Sequence, residues 1–225
     1  MECSSGMWGG LNMIATSPEY LQATRFLDFD NDALRVYVEL VCSGASNDRE
    51  RAVALFYAVR DDIRYDPYSC NLTADSLRAS HVLASGRGYC VGKAVLLAAA
   101  GRAAGIPTRL GFADVRNHFT SPQLAELMGT DVFYYHGYAD FYLGGKWVKL
   151  TPAFNRELCD KMQSPALEFD GENDAIFQEI EDDSQGRLRM EYLRYHEPVS
   201  DLDPEVIFAE YRKRYPRMMS ALGSA

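Results

Sequence analysis

GRGYCVGKAVLLAAAGRAAGIP, residues 86–107, is the stretch around which the rest of the chain is arranged. The run of alanine, valine and leucine after Cys90 is apolar on all sides, which is typical of a helix buried in a core. Gly105 and Pro107 supply the stop signals, because glycine accepts a positive φ just past a helix and proline cannot continue one. The sequence therefore predicts a buried helix with Cys90 in its first turn.

That position is favourable for cysteine chemistry. The first turn of a helix has unpaired backbone N–H groups and the positive end of the helix dipole, and both favour thiolate over thiol. The ordinary alternative is a cysteine that serves as a small buried apolar side chain. A partner for the sulfur is available in His136, which lies in the aromatic segment 132–143. A helix packed on an antiparallel sheet can bring its first turn beside such a strand residue, where an imidazole can contact the sulfur.

Composition excludes several classes of function. The chain has 225 residues and a net charge of −9, which argues against binding to nucleic acid or to anionic membranes. No apolar run is long enough to span a membrane, and no secretory signal is visible. Five widely spaced cysteines without metal-ligand spacing favour reduced thiols in a cytoplasmic protein with no metal site.

The remaining pattern predicts a mixed order of helices and strands. Leu34–Val41 after Asp32 is a helix, and the apolar spacing from Ala52 to Ile63 predicts a second helix capped at residue 46 or 47. Gly144-Gly145 predicts a hairpin between the strands 132–143 and 146–150. The further expectations are a short helix at 74–83, a strand at 108–115, a loop with one helical turn at 116–130, an irregular arm at 160–185, a strand at 187–195 and a C-terminal helix at 204–222 disturbed by Pro216.

Two segments, GRGYCVGKAVLLAAAGRAAGIPTRLGFA and HGYADFYLGGKWVKLTPAFN, resemble the core of the transglutaminase-like superfamily. The pattern of that family is a Gly-x-Cys helix start, a Gly-Ile-Pro-x-Arg strand start, a His–aromatic–acid strand, a Gly turn and Trp-Val on the next strand. The resemblance covers about residues 20–155, and 156–225 form an extension of what we expect to be one domain, 1–225. It implies an α+β, papain-like fold in which the Cys-bearing helix packs on an antiparallel sheet.

The resemblance also assigns roles to individual residues. Cys90 matches the nucleophile and His136 the general base and acid. Asp140 matches the acidic residue on the same strand, but four residues of strand separate it from His136 by about 13 Å, so we interpret it as structural or substrate-lining. The family's aspartate on the strand after the hairpin is replaced by Thr151, and Asn155 is the other candidate for the third member of the triad.

An oxyanion hole would combine the Cys90 backbone N–H with one upstream donor. Asn71, Tyr68 and Tyr65 are all available, and the sequence does not choose among them. We place Asn71, Tyr89 and Asp140 in the candidate oxyanion or substrate cleft.

Three functions follow from the resemblance. The favoured one is a cysteine hydrolase that acts on a peptide or a small amide through a thioester, without a cofactor. The second is a transglutaminase, in which an amine replaces water as acceptor. The third is an inactive member that keeps the fold as a binding or scaffold module, and the missing aspartate is its main support.

Overall fold

The computed structural model describes residues 17–69, 73–118, 120–176, 181–182, 187–188 and 190–222. The helices are α1 Asp32–Val41, α2 Asp48–Asp62, α3 Ala79–Ser85, α4 Cys90–Ala103, α5 Pro122–Met128, α6 Arg156–Lys161, α7 Pro204–Arg214 and α8 Pro216–Leu222. The strands are β1 Arg64–Tyr65, β2 Arg87–Gly88, β3 Thr108–Asn117, β4 Val132–Leu143, β5 Lys146–Leu150, β6 Glu181–Asp182, β7 Arg187–Leu188 and β8 Met190–Tyr195. Residues 1–16 lie outside the described part of the chain.

Helix α4 occupies the centre of the structure, as the sequence predicts. Every residue from Cys90 to Arg102 is buried, so the helix has no solvent face. Strand β4 packs closely on α4 because the helix has a glycine, Gly101, at the point of contact. A Cβ on Gly101 would lie 2.5 Å from the Phe141 ring, which leaves no room for alanine there.

The main sheet has four antiparallel strands in the order β5-β4-β3-β8. Gly144 and Gly145 have φ values of 58° and 87°, which form the predicted hairpin turn between β4 and β5. The register pairs Ala113 with His136 and Ala139 with Leu150. The α+β fold with the Cys-bearing helix on an antiparallel sheet is therefore confirmed.

The two predicted N-terminal helices are also confirmed. Asn31 and Asn47 accept hydrogen bonds from backbone N–H groups in the first turns of α1 and α2, and so satisfy donors that the helices leave unpaired. Leu34 and Val38 of α1 are buried, as are Leu55 and its apolar neighbours in α2.

Three predicted boundaries need correction. The segment 116–130 is more regular than expected: β3 continues to Asn117, and α5 is a full helix with a Ser121 cap. The predicted helix at 74–83 is a 3₁₀ turn, Ala74–Leu77, followed by α3, because Arg78 between them is extended. The arm at 160–185 follows helix α6, which the sequence pattern did not predict.

Arg102, near the end of α4, connects the start of β3 with two segments that are distant in the sequence. Its buried guanidinium donates to the carbonyl oxygens of Gln22 at 2.7 Å, Thr108 at 2.8 Å and Ser200 at 2.6 Å. Burial lowers the pKa of Arg102 to about 10, so it stays charged at neutral pH. The central helix thereby holds both the start of the described chain and the C-terminal extension.

Candidate active site

Cys90 is the first residue of α4, and Tyr89 occupies the N-cap position without a capping side-chain bond. The cysteine is 5% exposed. Two tyrosines from distant segments lie within electrostatic range of Cys90. Burial, and then the nearby Cys90, raises the pKa of Tyr65, and Cys90 contributes in the same direction to the raised pKa of Tyr215. The sulfur therefore lies in an aromatic environment at the start of the helix.

Strand β4 meets α4 at this first turn. A Cβ on Gly137 would lie 2.9 Å from Val91 Cα and 3.3 Å from the Cys90 carbonyl oxygen. Because consecutive Cα atoms are 3.8 Å apart, the Cα of His136 lies within about 9 Å of that oxygen. The backbone that carries His136 is thus adjacent to the turn that carries Cys90.

Because side chains alternate along a strand, the His136 side chain lies on the face of β4 that carries Tyr138, opposite the face on which Gly137 packs against α4. His136 pairs with Ala113, and Ala113 and Tyr138 share a small second core cluster. Phe154 packs against both this cluster and the main core. The Tyr65 ring lies edge-on to the Phe154 ring, with the ring centres 4.8 Å apart. Aromatic side chains therefore connect the region of Cys90 with the face of β4 that carries His136.

Burial determines the charge of the histidine. His136 is 3% exposed, and desolvation lowers its pKa to about 4. The imidazole is therefore neutral at pH 7. A neutral imidazole can take a proton from a thiol during attack, whereas a preformed thiolate–imidazolium pair would require a raised pKa.

Thr151 directly follows the last residue of β5. Extending the β4–β5 register by one pair beyond Ala139 and Leu150 sets Thr151 opposite Tyr138, on the same face as His136. Thr151 is 1% exposed, and its hydroxyl has no hydrogen-bond partner among the described residues. A buried unpaired hydroxyl costs about 1–3 kcal/mol, so this one requires an explanation.

Asn155, the other candidate for the third position, has a different contact. Its side-chain oxygen accepts a hydrogen bond from the Tyr65 backbone N–H at 3.1 Å. Asn155 thereby fixes strand β1 beside Cys90. Of the two candidates, Thr151 lies on the face of His136 and Asn155 positions Tyr65.

Asp140 lies apart from this group. Its carboxylate accepts a hydrogen bond from Arg109 Nε at 2.8 Å, and the Arg109 guanidinium lies 4.0 Å from the Trp147 ring centre. Burial raises the pKa of Asp140 against the opposing effect of Arg109. Of the proposed oxyanion donors, Asn71 lies outside the described residues and Tyr68 is exposed.

Lys93, one turn after Cys90, is a buried charge that the sequence analysis did not consider. Its ammonium donates to the carbonyl oxygens of Arg60 and Ile63 at the end of α2. Burial lowers the pKa of Lys93 to about 7. The sequence did contain a sign of this buried charge, because Lys93 is a charged residue in an otherwise apolar stretch of the helix. Tyr215 had no such signal, because it reaches Cys90 from a distant part of the sequence.

The other cysteines in the described part of the chain are isolated thiols. Burial raises the pKa of Cys42 and of Cys159, which favours their protonated forms. Cys3 and Cys70 lie outside the described residues. Across the described ranges, no group of three or more potential ligands could hold a metal ion, and no helix is long and apolar enough to cross a membrane.

The fold and the placement of Cys90 at the start of its core helix agree with the family comparison. The profile of the transglutaminase-like superfamily matches residues 35–152, more than half of the chain, and the chain belongs to this superfamily. No curated protein matches the chain significantly.

Two solved structures are similar to the chain. A candidate cysteine protease from Cytophaga hutchinsonii has 18% identity and a TM-score of 0.46 over 82% of this chain and 56% of that one. A candidate protease from Parabacteroides distasonis has 15% identity and a TM-score of 0.38 over 59% and 26%. The chain thus spans about half or less of the length of these proteins.

Proposed function

We propose that the protein is a cysteine hydrolase that cleaves amide or peptide bonds through a thioester on Cys90. The observation that supports this proposal is the close packing of Gly137 on the first turn of α4, which brings the strand that carries His136 against the turn that carries Cys90. The resemblance of the segments around Cys90 and His136 to the motifs of the superfamily supports the same two roles, and both residues lie within the matched range 35–152.

The reaction begins with the neutral pair. His136 takes the thiol proton as the Cys90 sulfur attacks the substrate carbonyl carbon. The negative charge on the carbonyl oxygen is stabilised by the backbone N–H of Cys90, at the positive end of α4. The intermediate collapses when the C–N bond breaks and His136 returns the proton to the leaving amine.

The second half of the cycle regenerates the thiol. His136 takes a proton from water as the oxygen attacks the thioester carbonyl, and the C–S bond then breaks as His136 gives that proton to the leaving sulfur. The products are a carboxylic acid and free Cys90. Thr151 brings no charge to the face of His136, so the imidazolium formed in each step is less stabilised than it would be beside an aspartate.

The test is alkylation by iodoacetamide with mapping of the labelled site. We expect Cys90 to react, with a rate that rises through the pKa of its thiol, and Cys90→Ala to abolish hydrolysis of any peptide substrate. Cys159→Ala is the matched control, since it removes another buried thiol. A Cys90→Ala variant with unchanged hydrolysis would exclude the proposed mechanism.

Thr151 favours one competing function, that of an inactive binding module. In that case Cys90→Ala should leave every measurable property unchanged, including the affinity for a partner. A transglutaminase activity would appear in the same assay as incorporation of an added primary amine into the acyl product, in place of the free acid.

A further inference from the structure

The C-terminal extension is attached to the site strand through Tyr215. The Tyr215 hydroxyl donates to the Val132 carbonyl at 3.1 Å and accepts from the Tyr134 backbone N–H. The Arg214 guanidinium lies 4.5 Å from the centre of the Tyr134 ring. The junction of α7 and α8 is therefore fixed to β4 just before His136.

An apolar pocket lies between these helices and the start of α4. Tyr65 and Tyr89, the residue before Cys90, line one side, Leu124 and Met128 line it from α5, and Tyr215 and Met218 line it from the C-terminal extension. The space that remains is about 40 Å³. That volume holds a few water molecules at most and no peptide side chain.

The filling side chains and the pocket walls come from different parts of the chain. Tyr65, Tyr89, Leu124 and Met128 lie within the matched residues 35–152, whereas Tyr215 and Met218 belong to the extension. Withdrawal of Tyr215 and Met218 together with α8 would therefore enlarge the pocket without removing any wall supplied by the matched residues.

We propose that this pocket is the acyl-side subsite for an apolar or aromatic substrate side chain, and that Tyr215 and Met218 occupy it in the closed state. This inference rests on the proposed function. The apolar lining favours such a side chain because a carboxylate or ammonium group would lose its hydration there without gaining an ion pair. Substrate therefore enters when α8 leaves.

Three variants test the occlusion through the rate of iodoacetamide labelling at Cys90. Tyr215→Phe keeps the ring but loses both hydrogen bonds to β4, and Met218→Ala removes a buried side chain from the pocket. Each should raise the labelling rate by about tenfold or more, because the loss of one net hydrogen bond or of buried apolar area shifts an open–closed equilibrium by at least that order. Arg217→Ala, exposed on the same helix, is the control and should label like the wild type.

Circular dichroism verifies that each variant is folded, and Met218→Ala carries the test if Tyr215→Phe is not. Equal labelling rates in the wild type and in the folded pocket variant would overturn the occlusion. The experiment also distinguishes a failure of the occlusion from a failure of the proposed function. Faster labelling without peptide hydrolysis in any variant would leave the occlusion intact and reject the hydrolase.

The substrate class is tested with two affinity probes on the opened variant. N-acetyl-phenylalanyl and N-acetyl-aspartyl chloromethyl ketones both alkylate a thiol with loss of chloride, and their rates with glutathione correct for intrinsic reactivity. The corrected rate at Cys90 should favour the phenylalanyl probe by more than tenfold. An equal or reversed preference would overturn the assignment of the pocket.

Discussion

Replacing Thr151 with aspartate should return a titrating charge to His136. In the wild type, burial holds the pKa of His136 at about 4, well below the ordinary 6.5. Thr151 follows β5 on the face of His136, at a diagonal position that is about 7–8 Å away between backbones and within reach of an aspartate side chain. A carboxylate near a histidine favours the protonated ring by roughly one to three pH units. The expected midpoint in Thr151→Asp is therefore about 5–7.

The assay is NMR titration of ¹³C-labelled histidine from pH 4 to 8, with His136→Gln used to assign the signal. Thr151→Asn is the matched control, because it has nearly the same shape as aspartate and no charge. In the wild type and in Thr151→Asn the His136 signal should not titrate above pH 5. A midpoint that does not move in Thr151→Asp, or that moves equally in Thr151→Asn, would refute the placement of residue 151 beside the imidazole.

Three further predictions concern stability. The pKa of His136 is lower in the folded than in the unfolded chain, so the free energy of unfolding falls as pH drops from 6.5 towards 4. Urea unfolding at pH 7 and at pH 4 should therefore show a decrease that is about 3 kcal/mol smaller in His136→Gln than in the wild type. An equal acid dependence in the variant would contradict the burial effect. The pKa of Lys93 is lowered from 10.5 to about 7, so the free energy of unfolding of the wild type should rise by about 3 kcal/mol between pH 7 and 9.5. Lys93→Met should lack that rise. Parallel curves of stability against pH for the two proteins would contradict the lowered pKa. Gly137→Ala puts a methyl group 2.9 Å from Val91 Cα and should lower the free energy of unfolding by about 1–3 kcal/mol. Gly44→Ala, whose added Cβ would have nothing within 4 Å, should lower it less. Similar unfolding midpoints for the two variants would show that β4 does not pack on α4 as described.

Local patterns in the sequence predicted the parts of the fold that depend on neighbouring residues. The Asn47 cap, the Gly144-Gly145 turn and the apolar helix after Cys90 each specify backbone geometry within a few residues. The break at Pro216 is of the same kind, since proline cannot continue a helix. Such elements could be located before any tertiary contact was known.

The surroundings of Cys90 could not be read in the same way. Tyr215 is close to the cysteine because α7 and α8 fold back onto β4, and no local pattern encodes that contact. The same holds for Lys93, whose partners are carbonyl groups at the end of α2. The low pKa of His136 is likewise a result of burial by distant segments, so the residue was identifiable from the sequence but its charge was not.

The guanidinium of Arg102 has a consequence for inhibition by the extension. It binds the Ser200 carbonyl, four residues before α7, and so tethers the extension at the end of α4 opposite Cys90. A displaced α8 would remain attached, at an effective concentration in the millimolar range. It would therefore compete with substrate as an intramolecular inhibitor, and the inhibition would not weaken when the protein is diluted.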